Sequence, residues 1–456
     1  MKKAVLFRSI ALGIVVFAGG TGCRRRVDAV AQNLAVIKPN QGLTNLSTSY
    51  DEARTKAGHD GMPLSASELT TPSVPDAENA GTVYKQIVES LTTNPVADTS
   101  ILLHLNGWRM PSAGQIAAAR DELALHSDVL ALIHKAAKLP KCHFDRDYSL
   151  GADLLYPEWG KMNNGVRMLS AESTLMLTDG ETLDAIANYA LLFAIARHAA
   201  SEPDVVCNET AIVYDRLALY GLEKILYKTG EQPDIAEAVE KCVTANWQPH
   251  DLKYGLGTSI GIFDVAIDGI RTGTITDDSE LKTAYKQRQQ SGTTQNWEAY
   301  GDANVAYILD VVRLMRDAAG RPSYQSMLVM RNLESAVRSD SNSANLLAKT
   351  MISNYRKAVL KQADNQARAD VVRAAASVLA WRQTHGSFPK SLDEAMTKVP
   401  ADPYDGSPLQ YRLVGNSGFV IWSVGPTGVF DGGSPYTRPD KSETYFMYPL
   451  PSFAGK

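Results

Sequence analysis

Along residues 76–355 the apolar positions recur with a period near 3.6, the spacing that lines one face of a helix. Asp76 stands where an N-cap would open a helix through Leu91, with Val83, Ile87 and Leu91 on one stripe. Ile116–Ala136 predicts a second helix, with Leu123, Leu130 and Ile133 inward. Across Thr182–His198 a broad apolar face includes Ile186, Ala190, Phe193 and Ala194, and the turn Asp179-Gly180 precedes it. Ile212–Lys228 and Asp234–Val243 follow after short breaks, and Val305, Ile308, Val312 and Met315 line a further helix stopped near Gly320-Arg321-Pro322. Such a succession predicts a mainly α fold of antiparallel helical hairpins, arranged as a solenoid or an irregular bundle.

The pattern changes toward the carboxyl terminus. A long helix is predicted from Ile352 to His385, with Val371, Ala374, Val378 and Trp381 on one face. Gly386 supplies a left-handed cap and Pro389 prevents continuation. A short helix over Ser391–Thr397 has a capping-box spacing between Ser391 and Glu394. Two strand-like runs, Leu409–Val414 and Gly418–Val424, are joined by Gly415-Asn416-Ser417 as a hairpin.

This order resembles the soluble part of the major pseudopilin of type II secretion systems. Gly386-Ser387-Phe388-Pro389 matches the turn that ends the long pseudopilin helix, and Asp402-Pro403-Tyr404-Asp405-Gly406-Ser407-Pro408-Leu409-Gln410-Tyr411 matches the loop that follows. Trp422-Ser423-Val424-Gly425-Pro426-Thr427-Gly428 matches a third motif, before Asp431-Gly432-Gly433. The resemblance implies an α+β domain of one long helix and a small antiparallel sheet over 356–456. It also implies a calcium loop. Here Thr427 replaces the family's aspartate, leaving Asp431, with Asp440 or Glu443, as a weak candidate metal donor, so no cofactor is expected. The same three residues-and-turn motifs allow the rival reading that Asp402, Asp405 and Asp431 organise turns. The pseudopilin amino-terminal processing site is replaced by a different leader, which argues against polymerisation as a pilus subunit. Over 76–456 the chain also resembles an uncharacterised family of exported bacterial helical-array proteins, which brings no chemistry.

The leader reads as a signal peptide over 1–22: Lys2, Lys3 and Arg8 precede the short apolar run Ile10–Ala18, too short to cross a bilayer. Thr21-Gly22-Cys23 then resembles the lipobox of bacterial lipoproteins, which implies acylation of Cys23. Arg24-Arg25-Arg26 would meet anionic headgroups. Residues 23–75 are expected to form the lipidated amino terminus and a flexible tether, since 40–75 is rich in Ser, Thr, Gly, Pro and Asp. The expected organisation is thus signal peptide, tether, all-helical array over 76–355 and terminal domain over 356–456.

The chain has 456 residues, 44% of them apolar, and a net charge of −4. Without the three leader cations it carries 43 basic and 50 acidic residues, or −7. That balance lacks the basic field of a nucleic-acid-binding protein. Four cysteines do not make a disulfide scaffold, but an oxidising envelope permits one bridge among Cys142, Cys207 and Cys242. Cys207 and Cys242 flank a helical hairpin and are the preferred pair.

Catalytic spellings are sparse. Gly257-Thr258-Ser259-Ile260-Gly261 matches the nucleophile elbow, yet no strand precedes it and His385 is the sole histidine after Ser259. A helix-opening turn is the preferred reading, with an envelope serine hydrolase as the outlying alternative. Cys142-His143-Phe144-Asp145-Arg146-Asp147 packs four metal-capable side chains together but has no distant second set, so a polar loop is preferred over a metal site. His198 ends a helix, where its charge would favour the negative pole. Function is therefore expected to be non-enzymatic: an exported lipoprotein, anchored to a bacterial membrane, serving as a scaffold or interaction module for envelope proteins. An accessory role in a type II secretion or pilus-like machine is the rival.

Overall fold

The computed structural model describes residues 46–105, 111–259, 261, 264, 297–339, 346–426 and 445–449. Cys23, Asp431, Asp440 and Glu443 lie outside the described residues, as does the whole 1–22 leader. Among the described residues no helix is long and apolar enough to cross a membrane. The fold is mainly helical, with one small antiparallel sheet.

Two helices precede the predicted array: α1 (Tyr50–His59) and α2 (Ala66–Leu69). They correct the tether expectation over this stretch. Ser49 and Ser65 accept hydrogen bonds from Glu52 and Glu68 backbone N–H, and Tyr50, Ala53 and Ala57 are buried at helical spacing. Small apolar residues among many polar ones hid that face in the sequence.

The array runs through α3 (Ala80–Thr93), α4 (Thr99–Leu105), α5 (Ala113–Leu125), α6 (Ser127–Ala137), α7 (Pro157–Asp179), α8 (Thr182–Ala200), α9 (Val205–Thr229) and α10 (Ile235–Asn246). The cap of α3 is Asn79, whose Oδ1 accepts from Gly81 N, while Asp76 opens a short 3-10 turn instead. The expected helix over Ile116–Ala136 is two, broken at His126, and a capping box of Ser112 and Gln115 opens the first. Gly180, at φ +86°, ends α7 in the left-handed region that glycine tolerates best.

Three more long helices follow: α11 (Trp297–Ala319), α12 (Ser323–Ser339) and α13 (Leu346–His385). Gly386, at φ +72°, caps α13 as its position predicts. A one-turn helix, α14 (Leu392–Ala395), starts at Ser391 without a side-chain cap bond; Glu394 instead accepts from Lys390 N. The sheet contains β1 (Gln410–Val414), β2 (Gly418–Trp422) and β3 (Tyr445–Tyr448), with β2 central and both neighbours antiparallel. β1 pairs Gln410 with Trp422 and Val414 with Gly418, so the hairpin forms as the turn residues predict.

Two apolar cores result. The larger joins α3–α10 to the middle of α13 and to the sheet, through residues such as Phe193, Leu222, Val372, Phe419 and Phe446. The smaller joins α1 to α11, α12 and the first described part of α13. α13 packs on α9, α10, α11 and α12, which makes the assembly an irregular bundle closed by that helix rather than an open solenoid. No core boundary falls at 355/356, because α13 belongs to both cores.

Candidate functional site

The Cys142–Asp147 segment is built around its arginine. Arg146 Nη2 lies 3.0 Å from Glu158 and 2.9 Å from Glu202, with all three side chains buried, and its guanidinium covers the rings of Phe144 and Tyr156. Desolvation pushes Glu202 above the usual carboxylate range, and Arg146 opposes that shift. Backbone positions of the loop are held by Asn79: its Nδ2 donates to His143 O and its Oδ1 accepts from His143 N. His143 Nδ1 bonds the Thr71 hydroxyl, and burial pushes the Cys142 thiol up. Among the described residues no three His, Cys, Asp or Glu side chains are grouped as metal ligands.

Ser259 lies within a helical stretch at 252–259, in place of the strand–turn–helix that an elbow requires. Its hydroxyl is buried, accepts from Val205 N at 2.8 Å and lies 3.0 Å from Asp204 Oδ1 and 2.8 Å from Gly255 O. It therefore ties the start of α9 to the 252–259 helix. His385, exposed, stacks on Trp381 and bonds within its own helix end. The elbow reading thus lacks both its setting and its base.

Cys142, Cys207 and Cys242 are free thiols, which corrects the preferred pairing of Cys207 with Cys242. Cys207 sits at the start of α9 and Cys242 in the third turn of α10. In the antiparallel hairpin that spacing offsets them by roughly 20 Å at 1.5 Å per residue, far beyond disulfide reach. Burial pushes the Cys242 thiol up to about 12.

His198 departs from the expected charged helix end. It is buried, with Nε2 2.9 Å from Leu139 O and Nδ1 2.8 Å from the Tyr84 hydroxyl. A carbonyl requires Nε2 to donate, so Nδ1 accepts from Tyr84, and burial lowers the imidazole to about 4. Two further buried charges had no sequence signal. Lys224 donates to Leu105 O at 3.2 Å and is lowered by burial to about 8; Asp215 lies 2.8 Å from His250, both side chains enclosed.

The most connected polar assembly joins the terminal sheet to the helices. Asp402 is buried and accepts from Tyr404 N at 2.9 Å, Ser423 Oγ at 2.9 Å and Val424 N at 2.7 Å. Asp405 accepts from Ser407 N at 2.8 Å, so both aspartates do organise turns. From that loop the Tyr404 hydroxyl donates to Asp364 on α13. Asp364 also faces Arg216 of α9 at 3.6 Å, and Arg216 Nε donates to Asn365. One turn on, Arg368 pairs with Glu223 of α9 at 2.5 Å and lies over the Tyr220 ring. Gly406 presses against the Tyr324 ring at the start of α12, where an added Cβ would lie 3.0 Å from the nearest ring carbon. On the far side β3 is fastened by Met447 N donating to the Tyr227 hydroxyl, with Tyr227 stacked on Phe446.

A shallow groove of about 380 Å³ lies between α5, α6 and the end of α7. Leu123, Leu130, Leu175 and Met176 form its apolar lining, and Arg120 grips Asp179 there through contacts of 2.6 and 2.7 Å. Compared with known proteins, the chain matches no family model, no curated protein and no solved structure.

Proposed function

We propose that this protein is a membrane-tethered envelope lipoprotein acting as a non-enzymatic scaffold, with Cys23 as the acylated residue. The observation that carries the reading is α13. This single helix belongs to both apolar cores and holds the terminal loop through Asp364 and Tyr404, so the sheet and the helical body present their surfaces as one unit. The chemistry-bearing side chains add support. Ser259, Arg146, Glu202 and His198 are occupied by bonds that join elements to one another. The pseudopilin-like reading of 356–456 rests on the order long helix, Gly386 cap, Pro389, short helix and hairpin.

Fractionation of cells expressing the wild type and Cys23→Ala tests the anchor: the wild type is expected in the membrane fraction and the variant in the soluble exported one. Equal membrane association of both removes the lipoprotein reading. Crosslinking the full chain in cells tests the scaffold: envelope proteins are expected in the crosslinked species, and recovery of the monomer alone counts against it.

One observation favours the rival machine-accessory reading. Leu413 and Val414 are exposed on β1, at the outer side of the sheet. If secretion components are among the crosslinked partners, Leu413→Asp with Val414→Asp is expected to lose them while other partners remain.

A further inference from the structure

We propose that α1 is a latch between the lipid anchor and the body: it undocks from α11 while the rest of the smaller core stays folded, and its release lengthens the tether. This deepens the membrane-tethered reading and rests on it. Position supplies the first argument. α1 is the first helix among the described residues, so a pull on Cys23 passes through residues 24–45 and reaches α1 before any other described element. Beyond α1 the chain is fastened a second time, by Leu69 packed on Tyr148 and by Thr71 bonded to His143. Release therefore has a stop. At full extension residues 24–45 reach about 75 Å, and freeing 46–61 adds up to about 55 Å.

The balance of forces supplies the second. Only Tyr50, Ala53 and Ala57 of α1 are buried, a small apolar face for a ten-residue helix that is too short to persist alone. Polar clamps hold it instead. Ser47 donates its N–H and its hydroxyl to Asp310 of α11, the hydroxyl at 3.2 Å. The buried Asp264 carboxylate receives the Tyr50 hydroxyl at 2.7 Å on one oxygen and Arg54 Nε at 2.9 Å on the other. At the far end Arg313 Nη1 lies 3.1 Å from Asp60, and Arg316 Nη1 donates to Asp60 O at 2.6 Å. Arg54, Asp60 and Arg313 are all partly exposed, so dissolved salt screens these pairs. The smaller core keeps its own interior without α1, because Leu309, Val312, Met330, Leu333, Tyr355 and Val359 come from α11, α12 and α13, which pack on one another. A terminal helix held by screened charges over an otherwise complete core opens below the free energy of global unfolding.

Hydrogen exchange read by mass spectrometry tests the latch in the full mature chain carrying Cys23→Ala, where lipidation plays no part. At roughly 50 mM NaCl the Tyr50–His59 amides are expected to exchange at least tenfold faster than the slowest amides of α11. Raising NaCl to roughly 500 mM should speed α1 at least threefold and leave α11 and α13 unchanged. Tyr50→Phe with Arg54→Gln should speed α1 in the same way at low salt. Equal protection of α1 and α11, or exchange that speeds in all three helices together, makes the smaller core one cooperative unit and overturns the latch. The salt comparison needs no substitution and decides the matter if the double variant misfolds. Reach is read with the lipidated chain on vesicles, from energy transfer between a dye on the body and one in the lipid. The double variant is expected to transfer less than the wild type, and equal transfer overturns the lengthening. Failure of the wild type to bind vesicles fails the anchor reading, and the lengthening with it, while the exchange result stands by itself.

Discussion

Arg146 meets two buried carboxylates with one nitrogen, so its removal strands both in a dry interior. Arg146→Met should cost about 3–5 kcal/mol in urea denaturation, the range for breaking one side of a buried pair. A further loss of Glu202, in Arg146→Met with Glu202→Gln, should recover part of it. His198 sets the acid limit. Its imidazole titrates in the folded chain near 4 and near 6.5 when unfolded, so the unfolded state binds the extra proton between those values. Stability from this residue is complete above about 6.5 and is lost as pH falls toward 4, on the order of 3 kcal/mol in all. His198→Gln should flatten that part of the stability–pH curve. Asp370 has the opposite sign. Burial raises it to about 6 despite Arg373, so the folded state holds the proton more tightly and its contribution disappears as pH rises through 6. Asp370→Asn should therefore raise the melting temperature more at pH 8 than at pH 5.

Among the elements, close approach decides what a helix tolerates. Gly221 of α9 faces the Tyr189 ring of α8, where an added Cβ would lie 2.0 Å from the nearest ring carbon. Gly221→Ala should destabilise by about 1–3 kcal/mol, measured by thermal melting, because two long helices must separate. Much at this scale was legible in the sequence. The Gly386 cap, the Gly180 turn and the β1–β2 hairpin follow from local turn chemistry that tertiary contacts reinforce. Other boundaries were not legible. The break at His126 leaves apolar periodicity continuous across it, and α1 hides its buried face behind alanines. The polar centres were legible only in part. Asp402 and Asp405 announced their turns, whereas Glu202, Asp364 and Leu139, the partners of Arg146, Tyr404 and His198, come from segments 40 or more residues away. No local pattern encodes such pairs.

At the level of the whole molecule, Tyr404 is the side chain through which the terminal loop grips α13, with Gly406 seated on Tyr324. Tyr404→Phe should leave both cores folded and speed hydrogen exchange of the 400–409 backbone relative to that of α13. Unaltered exchange would show that Gly406 and β3 hold the domain without it. The thiols offer an independent check on the packing: Cys207 and Cys242 are expected to react with a thiol reagent only after denaturation, and electrophoretic mobility should not depend on reductant.

The helix shared by the two cores also has a consequence for how the chain is made. Ala369–Leu379 supplies one wall of a core whose earlier residues run from 80 to 243, with residues 388–446 following it, so about 120 residues must be synthesised after Val243 before that wall arrives. At elongation rates of roughly 5–20 residues per second, the inner faces of α9 and α10 stay bare for several seconds to tens of seconds. A chain emerging amino terminus first thus needs a holdase, or a slow collapse that is reversible, during that interval. Stalled or truncated products ending before α13 should be the ones that aggregate and are degraded.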